Sequence, residues 1–323
     1  MKSFWIVTNN HMATLEMREI PIPEPRSGEV LVRVHAASLN RGELIVGGAV
    51  HGGPEKLGGT ESSGTIEAIG DGVTGWEIGD RVMGRTRGAF AEYALMYEGQ
   101  ILPFPERLTW EEAAAIPSTF ITAYEAIVRY GKLQADEWLL VTGASSGVGV
   151  ASILTAKVLG AQTIGITGSA DKLERLKSIG LNVGVNSRDA HFYSAVMEVT
   201  QGRGANLAVN ISGGIAFPEI LRSLAFEGRV SIVGYVDGMY ESGIDLSLTH
   251  INRLQIFGIS NAKLKPDQRY QTTKGFAQDI LPAIVDGRIS PVVDRIFDFM
   301  DLPSAKEYVE TNAMVGKVVI KVQ

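Results

Sequence analysis

The chain has 323 residues, and at roughly 150 residues per domain it predicts about two domains. Hydrophobic residues make up 45% and charged residues 20%, enough for a sizeable core; the formal charge of −6, from 30 Lys plus Arg against 36 Asp plus Glu, argues against a nucleic-acid surface, which needs a basic stripe. Cysteine is absent, which excludes disulfides, iron–sulfur clusters, thiol nucleophiles and sulfur-ligated zinc, and none of the five histidines has the i, i+4 spacing of a helical metal site.

The first ten residues carry one basic residue and an apolar run of four, whereas a secretory signal needs roughly 7–15 apolar residues after a basic start. No stretch approaches the ~20 apolar residues of a membrane span, so the expectation is a cytoplasmic protein with no membrane partner. Ile20-Pro-Ile-Pro-Glu-Pro25 cannot donate a regular ladder and predicts an extended surface stretch. Residues 29–35 largely alternate apolar with polar, as a half-buried strand does. His51 stands alone in a glycine-rich loop, residues 47–53, and reads as a surface histidine. Dense glycines from Gly64 to Gly88, with short apolar runs between them, predict many short strands and hence a barrel or sandwich up to about Pro105.

At Thr109 the pattern changes. Thr109-Trp-Glu-Glu112 is a capping box, and Pro117 is expected to stop the helix that follows. From Glu137 strands and helices alternate: strands at 138–141, 162–167, 182–185, 207–211, 229–235 and 254–259, with helices opening at Gly147 and spanning 170–179 among them. Apolar strands joined by helices predict a parallel sheet covered on both faces. From about Pro291 the chain returns to β-like runs, and residues 317–322 form a terminal strand able to rejoin the first domain.

The strongest local signal is Leu139-Leu-Val-Thr-Gly-Ala-Ser-Ser-Gly-Val-Gly149, a buried strand running through a small-residue turn into a helix. Ser145, Ser146, Gly147 and Val148 lie where a backbone can approach a pyrophosphate and a helix N-terminus can hold it; the bland alternative is a tight structural turn. The second strand ends in Gly168 and Ser169, with Lys172 three residues later, and Arg188 follows the third strand. Enzymes selecting NAD usually place a carboxylate at that strand end. Asp171 competes for the role, but an acid in the first helical turn complements the dipole, with Ser169 as N-cap. Serine, lysine and arginine suit a 2′-phosphate instead, so the cofactor expected is NADPH.

Ser38-Leu-Asn-Arg-Gly-Glu43, Gly59-Thr-Glu-Ser-Ser-Gly64, Gly79-Asp-Arg-Val-Met83, Gly88-Ala-Phe-Ala-Glu-Tyr93 and Ala113-Ala-Ala-Ile-Pro-Ser-Thr-Phe-Ile-Thr-Ala-Tyr124 precede that turn. In order and spacing they resemble the medium-chain dehydrogenase/reductase superfamily, and within it the zinc-free quinone oxidoreductase branch that includes ζ-crystallin-like enzymes. The resemblance implies an α/β fold: a GroES-like β-barrel domain over residues 1–120, rejoined by 290–323, and a doubly wound parallel-sheet Rossmann domain over 121–289, with the active-site cleft at their junction. Zinc alcohol dehydrogenases carry a cysteine ligand where this chain has Asn40 and a His-Glu pair where it has Thr60-Glu61, which implies that no metal is held.

The resemblance also implies roles. Asn40 would face the nicotinamide and donate to a developing oxyanion; Thr122 would lie near the nicotinamide ribose. Tyr124, with Phe120 and Tyr235, reads either as a wall for a flat acceptor or as core, the commoner place for such aromatics. Ser212, Val233 and Gly234 would line the nicotinamide and Gly316 would close the pocket, while Glu61 would be structural; Arg41 reads equally as a phosphate contact or a solvated side chain. Ser187 and Ser260 stand where the branch holds the 2′-phosphate with tyrosine and arginine, so Ser187 joins Arg188 as a cofactor candidate by position. Reduction of a quinone or an α,β-unsaturated carbonyl by NADPH is the activity implied. The alternatives are an enoyl reductase of acyl or polyketide intermediates and a non-catalytic NADPH-binding sensor. The apolar segment 254–259 resembles an edge strand that the family continues across a two-fold axis, implying a homodimer.

Overall fold

The computed structural model describes residues 1–9, 12–44 and 55–323, so the expectation for residues 47–53 and His51 lies outside the described residues. The chain divides into two compact units, one of residues 1–118, 262–285 and 290–323, the other of residues 119–261 and 286–289.

In the first unit β1 (Lys2–Asn9) and β2 (Met12–Glu19) form an antiparallel hairpin. β3 (Glu29–Ser38) leads through the short helix α1 (Arg41–Leu44) towards β4 (Glu55–Leu57), which pairs with β1. β5 (Glu61–Ile69), β6 (Arg81–Arg87) and β7 (Tyr93–Pro103) follow, and β7 pairs with both β6 and β3, closing β3, β5, β6 and β7 into the barrel that the glycine-punctuated short runs predict. Val30, Val32, Ile66, Val82, Met96 and Ile101 fill its interior.

The capping box at Thr109 is present and opens α2 (Trp110–Ala114): the Thr109 hydroxyl accepts from the Glu112 N–H at 3.2 Å and the Glu112 carboxylate from the Thr109 N–H at 2.9 Å. One expectation is corrected here. Pro117 stops nothing; α2 has already ended, and the proline opens α3 (Pro117–Ala123), where its missing N–H is one of the unpaired donors of a helix start in any case. A π-helical turn over Tyr124–Arg129 continues α3.

The second unit contains β8 (Trp138–Thr142), α4 (Gly147–Val158), β9 (Gln162–Thr167), α5 (Ala170–Ile179), β10 (Val183–Asn186) and α6 (Tyr193–Val199). It continues with β11 (Ala205–Asn210), α7 (Phe217–Arg222), β12 (Leu224–Ile232), α8 (Leu246–Ile251) and β13 (Gln255–Gly258). All six strands are parallel, in the order β10-β9-β8-β11-β12-β13. This is the doubly wound arrangement, with the strand order reversing beside β8. β12 ends at Ile232, so Val233 and Gly234 follow the strand; both of their N–H groups donate to the Asn210 carbonyl, at 2.9 and 3.2 Å.

The tail of the first unit holds α9 (Pro266–Asp279), α10 (Leu281–Val285), β14 (Val293–Asp298), α11 (Leu302–Glu310) and β15 (Lys317–Lys321). β15 pairs parallel with β14 and antiparallel with β3, so the C-terminal strand does rejoin the sheet built by the first hundred residues. Among the described residues no helix is long and apolar enough to cross a membrane.

Candidate active site

β5 and β15 lie on either side of β3 and both run antiparallel to it. Antiparallel neighbours bring their starts to the end of the strand between them, so Glu61 and Lys317 meet beside Ser38, Leu39 and Asn40. The Lys317 ammonium donates to the Leu39 carbonyl at 2.7 Å, to Asn40 Oδ1 at 2.8 Å and to Glu61 Oε1 at 2.9 Å. Glu61 is fully buried; its Oε1 also accepts from the Ser38 hydroxyl at 2.6 Å and Asn40 Nδ2 at 2.8 Å, and its Oε2 from the Ser118 N–H at 2.7 Å. Burial alone would push the Glu61 carboxyl up, but the Lys317 charge and these hydrogen bonds outweigh it and hold the group below its usual range. It is an ionised pair whose desolvation is offset by saturated hydrogen bonding.

The same pair sets the orientation of Asn40. An ammonium only donates, so the amide atom facing Lys317 is Oδ1, and a carboxylate only accepts, so the atom facing Glu61 is Nδ2. Among the described residues the second Nδ2 hydrogen has a long contact, 3.4 Å, to Thr60 Oγ1. The Thr60 hydroxyl in turn lies 3.2 Å from Glu43 Oε2, and Glu43 Oε1 accepts the Gly59 N–H at 2.6 Å. Asn40 precedes α1, and its side chain turns to Glu61 and Lys317. Gly316, next to Lys317, has φ +91°, and a Cβ there would collide with the Val292 carbonyl oxygen. Reading the sequence alone misses the parts played by Lys317 and Glu43. The available signal was chemical: Lys317 heads an otherwise apolar strand, Lys317-Val-Val-Ile, and a buried carboxylate needs a cation.

In the second unit the candidate residues gather at the carboxyl ends of the strands. Ser146 caps α4, its hydroxyl accepting from the Gly149 N–H at 3.1 Å, and Gly147 and Val148 form the first turn. A Cβ on Gly149 would stand 2.6 Å from the carbonyl oxygens of both Gly143 and Ala144, so only glycine lets helix and turn approach this closely. The Lys172 ammonium reaches the Ser145 hydroxyl at 3.3 Å, and Arg188 Nε donates to the Gly168 carbonyl at 2.9 Å, which folds both cations against the ends of β8 and β9. Ser169 occupies the N-cap position of α5 but makes no side-chain cap bond, and the Ser187 hydroxyl accepts the His191 N–H at 3.0 Å within its own loop.

Across the reversal of strand order, Thr142 and Asn210 pin β8 to β11. The Thr142 hydroxyl lies 3.2 Å from Asn210 Oδ1 and accepts from the N–H groups of Ile211 and Ser212 at 3.2 and 3.3 Å. Ser212, Val233 and Gly234 follow β11 and β12 here. Thr122, half-buried on α3, and Tyr124, buried at the start of the π turn, lie in this unit too; Phe120 is buried, whereas Tyr235 is exposed against Tyr240. A helix N-terminus, a turn that admits no Cβ and two nearby cations fit a dinucleotide's phosphates.

Two family models match the chain: Alcohol dehydrogenase GroES-like domain over residues 26–106, and Zinc-binding dehydrogenase over residues 147–277. The chain is 29% identical over 313 residues to one of the phenolphthiocerol/phthiocerol polyketide synthase polypeptides of Mycobacterium tuberculosis, covering 95% of this chain but only 14% of that much longer protein. It is 28% identical to an acryloyl-coenzyme A reductase of Sulfurisphaera tokodaii, over 95% of this chain and 96% of that one, and 26% identical to a quinone oxidoreductase of Rattus norvegicus, over 94% and 92%. Among solved structures, an NAD-dependent alcohol dehydrogenase superposes with TM-score 0.85 at 28% identity, each chain covered in full. A mycobacterial protein complexed with NADPH reaches 0.91 at 24% identity, likewise over both full chains, and shares the fold. The second family description names zinc, whose ligands are thiolate, imidazole and carboxylate. The donor set here does not fit: Asn40 and Glu61 already surround the Lys317 ammonium, and among the described residues no three His, Asp or Glu side chains are grouped.

Proposed function

We propose that this chain, which belongs to the medium-chain dehydrogenase/reductase superfamily and within it to the quinone oxidoreductase branch, is an NADPH-dependent reductase of quinones and α,β-unsaturated carbonyls that works without a metal. The observation carrying this reading is the Lys317 ammonium, held by Leu39, Asn40 and Glu61. Without a Lewis acid, several kcal/mol of stabilisation is lost to any localised alkoxide. Quinones and enones spread the charge they receive into a quinolate or enolate, so they need only orientation and one or two hydrogen bonds at the acceptor oxygen. NADPH, when bound, supplies the hydride. Asn40 donates its weakly engaged Nδ2 hydrogen to the acceptor oxygen in place of the long contact to Thr60, and Lys317 and Glu61 hold the amide in that orientation.

Lys172 and Arg188 beside Gly168 and Ser169 support the choice of NADPH, because a 2′-phosphate finds two cations there and no carboxylate at the end of β9. In this reading Thr122, Tyr124, Ser212, Val233 and Gly234 serve the nicotinamide and the acceptor from the second unit, and Gly316 stands beside Lys317 in the first. The similarity to an acryloyl-coenzyme A reductase and a polyketide synthase supports a second acceptor, an enoyl thioester reduced by the same chemistry. β13, at the sheet edge, pairs across a two-fold axis to give a homodimer. The test is NADPH and NADH oxidation with 1,2-naphthoquinone, crotonaldehyde and crotonyl-CoA, after exhaustive chelation. Activity surviving chelation and preferring NADPH supports the proposal; activity that appears only with added zinc, or only with ethanol and acetaldehyde, removes it. Tight NADPH binding without turnover of any acceptor would favour a sensor.

A further inference from the structure

Two carboxyls lie within one residue of Thr60 along the hydrogen-bond chain, and their surroundings push them apart. Glu61 is kept ionised by Lys317. Glu43 is buried too, but among the described residues its side chain is bonded to the Gly59 N–H and the Thr60 hydroxyl and to no cation. Burial pushes the Glu43 carboxyl up to about 7; its bonds to Gly59 and Thr60 and the charge of Lys56 pull down more weakly, and Glu61 adds to the rise. Arg41 stands on the same short helix, and Lys317 faces Glu61 rather than Glu43. Paired titratable groups driven in opposite directions are the arrangement in which one stays charged while the other carries a proton.

We propose that Glu43 is the proton source of the reduction, acting through the Thr60 hydroxyl. This rests on the reductase reading above. With Glu43 ionised, Thr60 Oγ1–H donates to Glu43 Oε2. With Glu43 protonated, Oε2–H donates to Thr60 Oγ1, which also receives the long contact from Asn40 Nδ2, and the threonine hydrogen turns away from the carboxyl. Hydride addition leaves the acceptor as a quinolate or enolate, two electrons reduced and one proton short. That anion takes the Thr60 hydrogen as Thr60 takes the Glu43 proton. The O–H bonds of Glu43 and Thr60 break, those of Thr60 and the quinol or enol form, and Glu43 is left as a carboxylate that solvent reprotonates. Glu43 is buried and Thr60 half-buried, so the hydroxyl carries the proton outward. Asn40 and Thr60 thus divide the work: one hydrogen-bonds the acceptor oxygen, the other delivers its proton.

Three variants and two readouts test it. In the cofactor-free protein, infrared difference spectra should show a protonated-carboxyl band that titrates near pH 7 in the wild type and is missing in Glu43→Gln. In turnover, wild-type kcat should fall as pH rises through about 7, because the donor must be protonated. Thr60→Val and Glu43→Gln should lose about 10²-fold in kcat and lose that pH limb, with little change in acceptor KM. Thr60→Ser should restore both. Wild-type kcat and pH profile in Thr60→Val, or no carboxyl titrating between pH 5 and 8 in the cofactor-free wild type, would overturn the relay while leaving the reductase reading intact. A wild type that turns over no acceptor would remove that reading and the relay with it.

Discussion

The ammonium of Lys317 lies 2.8 Å from Asn40 Oδ1, joining residues 277 positions apart, and it permits only one orientation of the amide. The side chain matched to a metal-ligand position is therefore bonded to a covalently attached cation. A lysine on a strand cannot dissociate as a bound ion can, and the Asn40 Nδ2 hydrogens are directed at Glu61 and Thr60.

Removing that cation should destabilise the fold. Lys317→Met leaves Glu61 buried and unpaired, and the expected loss is roughly 3–5 kcal/mol in urea unfolding. The double variant Lys317→Met/Glu61→Gln should recover most of it, since no uncompensated charge then remains. A single variant as stable as the wild type would show that the pair is not ionised.

In the proposed mechanism Asn40→Ala removes the hydrogen-bond donor to the acceptor oxygen. For a single oxyanion donor the expected cost is about 10²–10³ in kcat. NADPH affinity, measured by fluorescence titration, should change by less than tenfold, that is by less than about 1.4 kcal/mol. A kcat within a fewfold of wild type would mean that the amide serves only the Lys317–Glu61 pair.

The two buried carboxyls give opposite pH dependences of stability. The raised Glu43 contributes stability present in full below its unfolded value and lost as pH rises through about 7; integrated from 4.5, this is on the order of 3 kcal/mol. The lowered Glu61 contributes stability present above its ordinary range and lost as pH falls. Calorimetry should therefore show Glu43→Gln gaining on the wild type between pH 5 and pH 8. Parallel curves for the two proteins would contradict the buried, proton-holding carboxyl.

Cofactor choice should follow the cations behind β9 and β10. Lys172→Ala and Arg188→Ala should each weaken NADPH binding about 10- to 100-fold, the range of a charge-assisted hydrogen bond, and leave NADH nearly unaffected. Ser169→Asp should reverse the preference, because a carboxylate there repels a 2′-phosphate and accepts from a ribose hydroxyl. Equal losses for both nucleotides would place the two side chains elsewhere than at the 2′-position.

Much of the fold was legible because its signals are local. β9 and α5 have the expected bounds, and the capping box at Thr109 forms, because each depends on side chains within a few residues of one another. The glycine turn after β8 is local in the same sense: whether Gly149 can carry a Cβ is decided by Gly143 and Ala144. Pro117 is ambiguous in the sequence because a proline fits equally after one helix and at the first position of the next, and the break at Ala115 that decides between them has no strong signature.

By itself, then, the sequence determined the alternation of strands and helices, the glycine turn after β8 and the lack of sulfur for a metal, since composition and short-range periodicity suffice for these. Only the tertiary structure decided which groups meet at Asn40. Glu61 and Lys317 come from separate strands that run antiparallel to β3 on its two sides, and the partner of a buried charge is chosen by that topology. Burial, with a cation bonded to one carboxyl and, among the described residues, none bonded to the other, separates Glu61 from Glu43, a difference that two glutamates eighteen positions apart do not show until the sheet is formed.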